Sequence, residues 1–127
     1  MQKFLRSLTV ILTFFVGTVH LAHADTTVYV GHWEYHGNEF LIGNVTLKIT
    51  QTEGEKMSGT LQFDGSRYFG DKETPLDTIS FKGVSIDFSA TGADKRLLKA
   101  TGTLASGKIN GIINYRGYDM TLFLKKE

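Results

Sequence analysis

One short segment concentrates the side chains best suited to chemistry: residues 32–36, with the sequence His-Trp-Glu-Tyr-His. Alternate side chains on a β-strand share a face, so His32, Glu34 and His36 would point one way and Trp33 and Tyr35 the other. Two imidazoles and a carboxylate are a possible zinc set. The alternative is a solvated outer face behind an inward Trp and Tyr. Because this spacing is common on wet strand faces, we predict no metal site.

The residues for other catalytic chemistry are lacking. The chain contains no cysteine, which excludes a thiol nucleophile, a thiolate metal site and disulfide chemistry. It has no Gly-x-Ser-x-Gly elbow, and none of its glycines opens a helix as a phosphate loop would. Carboxylates such as Asp64 and Asp87 fall in predicted turns or at outward positions, where solvation explains them. We therefore expect a non-enzymatic protein with no cofactor.

A set of aromatic side chains falls on the strand faces that we predict to point inward. The set consists of Trp33, Tyr35, Phe63, Phe81, Phe88, Tyr115 and Tyr118. An eight-stranded barrel is just wide enough to be filled by side chains or to hold one small ligand, so a packed core and a ligand cavity are both open. The tyrosines favour a cavity, because each buried hydroxyl needs a partner. These seven residues are our candidate ligand-binding residues.

A second candidate site lies in the longest stretch without alternation, residues 65–74. It contains Arg67, Tyr68 and Phe69, and Tyr and Arg are frequent anchors of protein interfaces. Loops also carry binding residues more often than the scaffold does. The alternative is that Tyr68 and Phe69 fold over a barrel mouth. We assign these three residues to a possible protein partner.

The elements that must position these residues are β-strands, because apolar side chains recur with period two along most of the chain. Val45, Leu47 and Ile49, for example, alternate with polar neighbours. Turn-forming clusters rich in Gly, Asn, Asp and Ser separate such runs. The pattern predicts eight strands, at about 28–36, 42–51, 57–64, 76–82, 84–91, 96–104, 109–115 and 118–125. No connection is long enough for a parallel crossover, so we predict one all-β domain over residues 25–127, an antiparallel meander that closes as an up-and-down barrel or folds as a sandwich. Of these two we predict the barrel, in line with the resemblance described next.

Gly31-His32-Trp33 resembles the Gly-x-Trp motif of the calycins, the lipocalins and avidins, in which the Trp closes one end of an antiparallel barrel. The later pattern is similar to a group of small exported bacterial β-domains, also found ahead of exported α/β-hydrolases. Its elements here are Val45 to Ile49, Ser58 to Leu61, Pro75 to Gly83 and Gly102 to Gly111. The resemblance implies a lipocalin-like barrel with a buried Trp33. The chain is shorter than most lipocalins, and its single Trp argues against an avidin-like biotin site.

The first 24 residues have the character of a secretory signal peptide. Lys3 and Arg6 precede an apolar run from Leu8 to Val19, which ends before the small-x-small sequence Ala22-His23-Ala24. The run is short of the about 20 apolar residues that span a bilayer, so we expect cleavage and no transmembrane segment afterwards. Loss of this leader changes the formal net charge from +1 to about −1. No run of Lys and Arg is left for nucleic acid.

Two functions follow as hypotheses for a periplasmic or secreted domain. The first is a non-enzymatic binding domain that holds a small apolar or amphipathic, lipophilic ligand inside its barrel. The second is a protein-binding inhibitor or accessory module of an exported hydrolase, with the exported protein partner contacting Arg67, Tyr68 and Phe69. Small barrels with a Gly-x-Trp start include protease inhibitors, which this chain resembles in size, although those carry a disulfide.

Overall fold

The computed structural model of the protein describes residues 24–52, 56–64 and 72–127. This part of the chain forms eight strands and no helix, which confirms the predicted all-β class. The strands are β1 Ala24–His36, β2 Phe40–Thr52, β3 Met57–Phe63, β4 Thr74–Lys82, β5 Ser85–Thr91, β6 Leu97–Ala105, β7 Lys108–Tyr115 and β8 Tyr118–Lys126. The expected signal segment lies outside the described residues except for Ala24, with which β1 begins.

Each strand pairs antiparallel with the next along the chain, and β8 closes the sheet by pairing with β1. The closing register runs from Tyr29 opposite Lys126 to Glu34 opposite Thr121. The β3–β4 seam is the shortest, with register only at Thr60–Pro75 and Leu61–Thr74. The predicted closed up-and-down barrel is therefore confirmed. Closure also pairs the backbone of every strand on both sides, which removes the exposed edges of an open sheet.

The middle of the barrel is filled by aliphatic side chains, one or more from nearly every strand. The largest fully buried ones are Leu47, Leu61, Ile86, Leu98, Ile109, Ile113, Leu122 and Val45. Their positions follow the period-two pattern, because each inward residue is followed by one whose side chain faces outward. The barrel axis is thus packed at its centre, and one opening lies at each of its ends.

The direction of the strands assigns each connection to one end. The β1–β2 connection at residues 37–39, the β5–β6 connection at 92–96 and the two-residue β7–β8 turn all lie at the end that we call the mouth. The β7–β8 turn is Arg116-Gly117, with φ of 58° and 83°. Positive φ at both central residues is the hairpin geometry that matches the twist of paired strands. The turn holds Tyr115 and Tyr118 directly opposite each other.

Two details of the strands differ from the sequence prediction. β1 begins four residues earlier than expected, and β4 begins at Thr74 with a register shift between Leu76 and Thr78. At this irregularity the Thr78 and Ser89 hydroxyls lie 2.7 Å apart, which gives the buried Ser89 a hydrogen-bond partner.

Within the described ranges, no helix is long and apolar enough to cross a membrane.

Candidate functional site

A cleft of about 410 Å³ opens at the mouth of the barrel, above the packed aliphatic core. Its most distinctive lining is a group of five aromatic rings, drawn from the two hairpins at this end and from the end of β3. The five rings are Trp33, Tyr35, Phe63, Tyr115 and Tyr118. Aliphatic groups of Leu41, Leu98 and Met120 complete the apolar part of the lining. Ligand pockets commonly combine such an apolar wall with a few polar groups at volumes of this order.

The rings of Tyr35 and Tyr118 form one wall of the cleft. They meet edge to face, with centroids 5.6 Å apart and planes at 86°. This arrangement is favourable because the positive edge of one ring meets the negative face of the other. Tyr118 nevertheless stays 56% exposed, so its ring is at the surface of the cleft and available for contact.

Three glycines make room for three of the cleft rings. A Cβ built on Gly43, which pairs directly with Trp33, would lie 2.6 Å from Trp33 Nε1. A Cβ on Gly92 would lie 2.6 Å from the Tyr115 hydroxyl, and one on Gly37 would collide with the ring of Tyr35. These glycines therefore act as positioning residues, because any larger side chain would push a ring towards the cleft or out of it.

A carboxylate at the edge of the cleft, that of Asp94, holds Tyr115 in place. The Tyr115 hydroxyl donates a 2.6 Å hydrogen bond to Asp94 Oδ1, which also accepts from the backbone N–H of Arg96. Asp94 Oδ2 lies 3.6 Å from Arg116 Nε and accepts no hydrogen bond from the described residues. The Tyr115 hydrogen bond is the main cause that holds the pKa of Asp94 below its ordinary value, and the Arg116 charge adds to it. Tyr115 is thereby fixed by a charged acceptor.

Two of the seven ring residues predicted to bind ligand lie away from the mouth. Phe88 is buried in the core, and Phe81 lines a smaller opening of about 260 Å³ at the opposite end of the barrel. Trp33, which we expected to be buried at a closed end, is only partly buried and lines the open cleft. The reason is that the β1–β2 hairpin extends beyond the core layer, and Gly43 opposite provides no side chain to cover the indole.

The predicted partner-binding residues, Arg67, Tyr68 and Phe69, lie outside the described residues. β3 ends at Phe63, which is itself a cleft residue, and β4 begins at Thr74. The assignment of these three residues to a protein partner therefore stays a prediction.

The histidine segment lies on the outer face of β1, as its alternation predicts. His32 Nε2 and His36 Nε2 lie 2.9 and 3.0 Å from the two carboxylate oxygens of Glu34. Because an ionised carboxylate only accepts, both Nε2 atoms carry the proton and donate. These bonds, that of His36 foremost, keep the pKa of Glu34 below its ordinary value. A metal ion would have to replace both bonds, and the described ranges contain no group of three or more His, Cys, Asp or Glu side chains arranged to hold one.

The sequence patterns did not reveal several cleft residues. Leu41 lies just before the predicted start of β2 at residue 42, and Met120 lies within the predicted β8 but was not among the aromatic candidates. Asn38, Glu39 and Arg116 lie in turns, where strand periodicity gives no information on direction. The predicted strand order could have identified these turn residues. In an up-and-down barrel the β1–β2 and β7–β8 turns lie at the same end as Trp33 and Tyr115.

The cleft provides a shaped apolar surface with polar groups at its rim, which is the combination that binding of a small molecule requires.

Searches against protein-family models, curated proteins and solved structures find no match to this chain. The chain is therefore placed by its architecture alone, as a closed antiparallel barrel of eight strands, an architecture consistent with that of the lipocalins.

Proposed function

We propose that this chain is a non-enzymatic binding domain that holds a small apolar or amphipathic ligand in the mouth cleft. The observation that supports it is the convergence of five aromatic rings on one cleft of about 410 Å³. A relationship to the calycins, suggested by Gly31-His32-Trp33, belongs to the same proposal. The ligand is expected at the mouth and not along the barrel axis, since the axis is packed.

The affinity can be bounded from the apolar surface that a ligand would bury. Each buried methylene contributes about 0.8 kcal/mol, and micromolar binding corresponds to about 8 kcal/mol. About ten methylenes inside the cleft would approach that figure before the cost of immobilising the ligand is subtracted. Apolar contact alone thus supports micromolar binding or weaker, and a polar head group at the rim would add to it.

The proposal can be tested with lipophilic probes and the emission of Trp33, the single tryptophan of the chain. We expect saturable binding with a shift of this emission. Tyr118→Ala should weaken binding, and it should leave folding intact because Tyr118 is more than half exposed. Phe123→Ala, which removes an exposed ring from the outer face of β8, is the matched control and should bind normally. Absence of saturable binding would reject the proposal.

Protein binding is the second candidate, and the exterior of the barrel favours it. Exposed apolar side chains lie on the outer faces of three strands, β7, β8 and β2: Ile112, Phe123, Phe40 and Ile42. Apolar groups clustered on an outer face often mark a contact surface. An exported hydrolase that binds the wild type but not Phe123→Ala would support this candidate.

We propose further that the chain is exported to the periplasm or secreted. The support is the charged, apolar and small-x-small order of residues 1–24. The intact mass of the protein made in a host with a secretory pathway tests it. A mature chain that starts at Asp25 is expected, and recovery of the full 127-residue chain would reject the proposal.

A further inference from the structure

The rim of the mouth cleft carries an uneven distribution of charge. Two charged side chains, Glu39 and Arg116, line the cleft, and Asp94 lies beside Tyr115 at its edge. Arg116 Nε faces Asp94 Oδ2 at 3.6 Å, so the positive charge is already opposed by a carboxylate. No ion pair or hydrogen bond of the Glu39 side chain occurs within the described residues. The charge of Arg96 also acts on Asp94, so this carboxylate is balanced by two guanidinium groups, and Glu39 is the cleft carboxylate that has no described partner.

Arg116 is also held in place by its backbone. It has a φ of 58° as the first residue of the β7–β8 turn, where the left-handed conformation fixes the direction of its side chain relative to the two strands. The same turn places Arg116 next to Tyr115, whose hydroxyl binds the other oxygen of Asp94. An anionic head group would have to compete with Asp94 for this guanidinium and would lie near Glu39.

The aromatic rings of the cleft also favour a cation. The faces of Trp and Tyr rings are electronegative and attract cations within about 6 Å of their centroids. Bulky ammonium groups suit such sites because they are weakly hydrated and present a large apolar surface. The cleft provides four Trp and Tyr rings, Tyr35 and Tyr118 of them packed edge to face, together with the carboxylate of Glu39.

From this combination we propose that the ligand of the mouth cleft carries a bulky cationic head group, a quaternary ammonium or a related amine, which packs against the aromatic rings beside Glu39. The apolar part of the ligand then lies against Phe63, Leu98 and Met120. This inference rests on the proposed ligand-binding function and specifies the class of ligand.

The test compares three probes of equal chain length on the full protein: decyltrimethylammonium, decanoate and decanol. Each is titrated below its aggregation concentration, and Trp33 emission reports binding. We expect the trimethylammonium probe to bind about tenfold more tightly than decanol, and decanoate to bind most weakly. The preference should shrink with added salt, because the rim is exposed to solvent.

Glu39→Gln should reduce the preference for the cationic probe over decanol about threefold. Asp87→Asn removes the same charge from an outward, exposed position on β5 and is the matched control, for which the preference should persist. Equal binding of the three probes, or tighter binding of decanoate, would overturn the cationic head group and leave the ligand-binding function standing. If none of the probes binds, the binding function fails, and this inference fails with it.

Discussion

The two ends of the barrel are built by the same strands but are lined differently. At the mouth, five aromatic rings surround a cleft of about 410 Å³. At the opposite end an opening of about 260 Å³ has two rings, Tyr29 and Phe81, and several polar side chains, such as Thr27 and Gln51. β1 contributes to both ends, with Trp33 and Tyr35 at one and Asp25 and Thr27 at the other.

The different linings of the two ends show which of these side chains the folding of the barrel requires. The aliphatic layer at the centre closes the core, and the opposite end is completed with few rings and polar groups that water can solvate. A barrel of this size therefore does not need five rings to finish an end. Their concentration at the mouth, with glycines that make room for three of them, is the feature that supports the proposed ligand binding.

The largest expected effect concerns the layer that separates the two ends. Leu61→Ala removes a fully buried side chain from that layer and should lower the free energy of unfolding by about 2–5 kcal/mol. Ser58→Ala, at an exposed position of the same strand, should change it little. Denaturant unfolding measures both. A cost below about 1 kcal/mol for Leu61→Ala would mean a loosely filled centre and would weaken the distinction between the ends.

The next prediction compares one ring from each end. Trp33→Ala should weaken binding of a lipophilic probe about tenfold or more, measured by calorimetry because the variant lacks the only tryptophan. Phe81→Ala should leave probe binding unchanged. Because Trp33 is only partly buried, its loss should destabilise the fold by less than the about 3–5 kcal/mol typical of core aromatics. Equal losses of binding in the two variants would remove the functional difference between the ends.

A smaller effect is expected when a ring is displaced and not deleted. Gly43→Ala places a methyl group where the Trp33 indole now lies, so the ring must shift. We expect probe binding to weaken severalfold, with a change in the emission maximum of Trp33. Asn44→Ala, the next residue on the outward face, is the control. Unaltered binding and emission in Gly43→Ala would show that the position of the ring is unimportant.

The smallest effect is a dependence of stability on pH at the mouth. The folded-state pKa of Asp94 lies below its ordinary value because of the Tyr115 hydrogen bond. Its contribution to stability is therefore present above that ordinary value and is lost as the pH falls through the folded-state pKa, below about pH 4. Asp94→Asn should be less stable than the wild type at pH 7, and the difference should shrink at acid pH. A difference that is constant with pH would contradict the assignment.

The sequence predicted the eight strands because inward and outward residues alternate along nearly the whole described chain, and it predicted their closure through the resemblance to the calycins, since alternation alone left a sandwich open. It also predicted that His32, Glu34 and His36 share the outer face of β1. Alternation alone could not show that Phe81 lines the opposite opening and that Phe88 is buried in the core, because it gives the face of a residue and not its height along the barrel. That height depends on the register between strands.

The rim was the least predictable part of the candidate site. Asn38, Glu39 and Arg116 are turn residues, and their direction depends on backbone angles such as the positive φ of Arg116. The contact between Asp94 and Tyr115 joins residues 21 positions apart, which no local pattern connects. The role of Gly43 likewise depends on its register opposite Trp33.

Nuclear magnetic resonance of the full chain, titrated with decyltrimethylammonium, shows which end of the barrel binds the ligand. Each end carries its own reporters: Trp33, Tyr35 and Tyr118 at the mouth, and Tyr29 and Phe81 opposite. If the mouth is the binding end, the resonances of the mouth residues shift saturably while those of Tyr29 and Phe81 stay in place. Shifts confined to the opposite end or to the outer face, around Phe123, would contradict it.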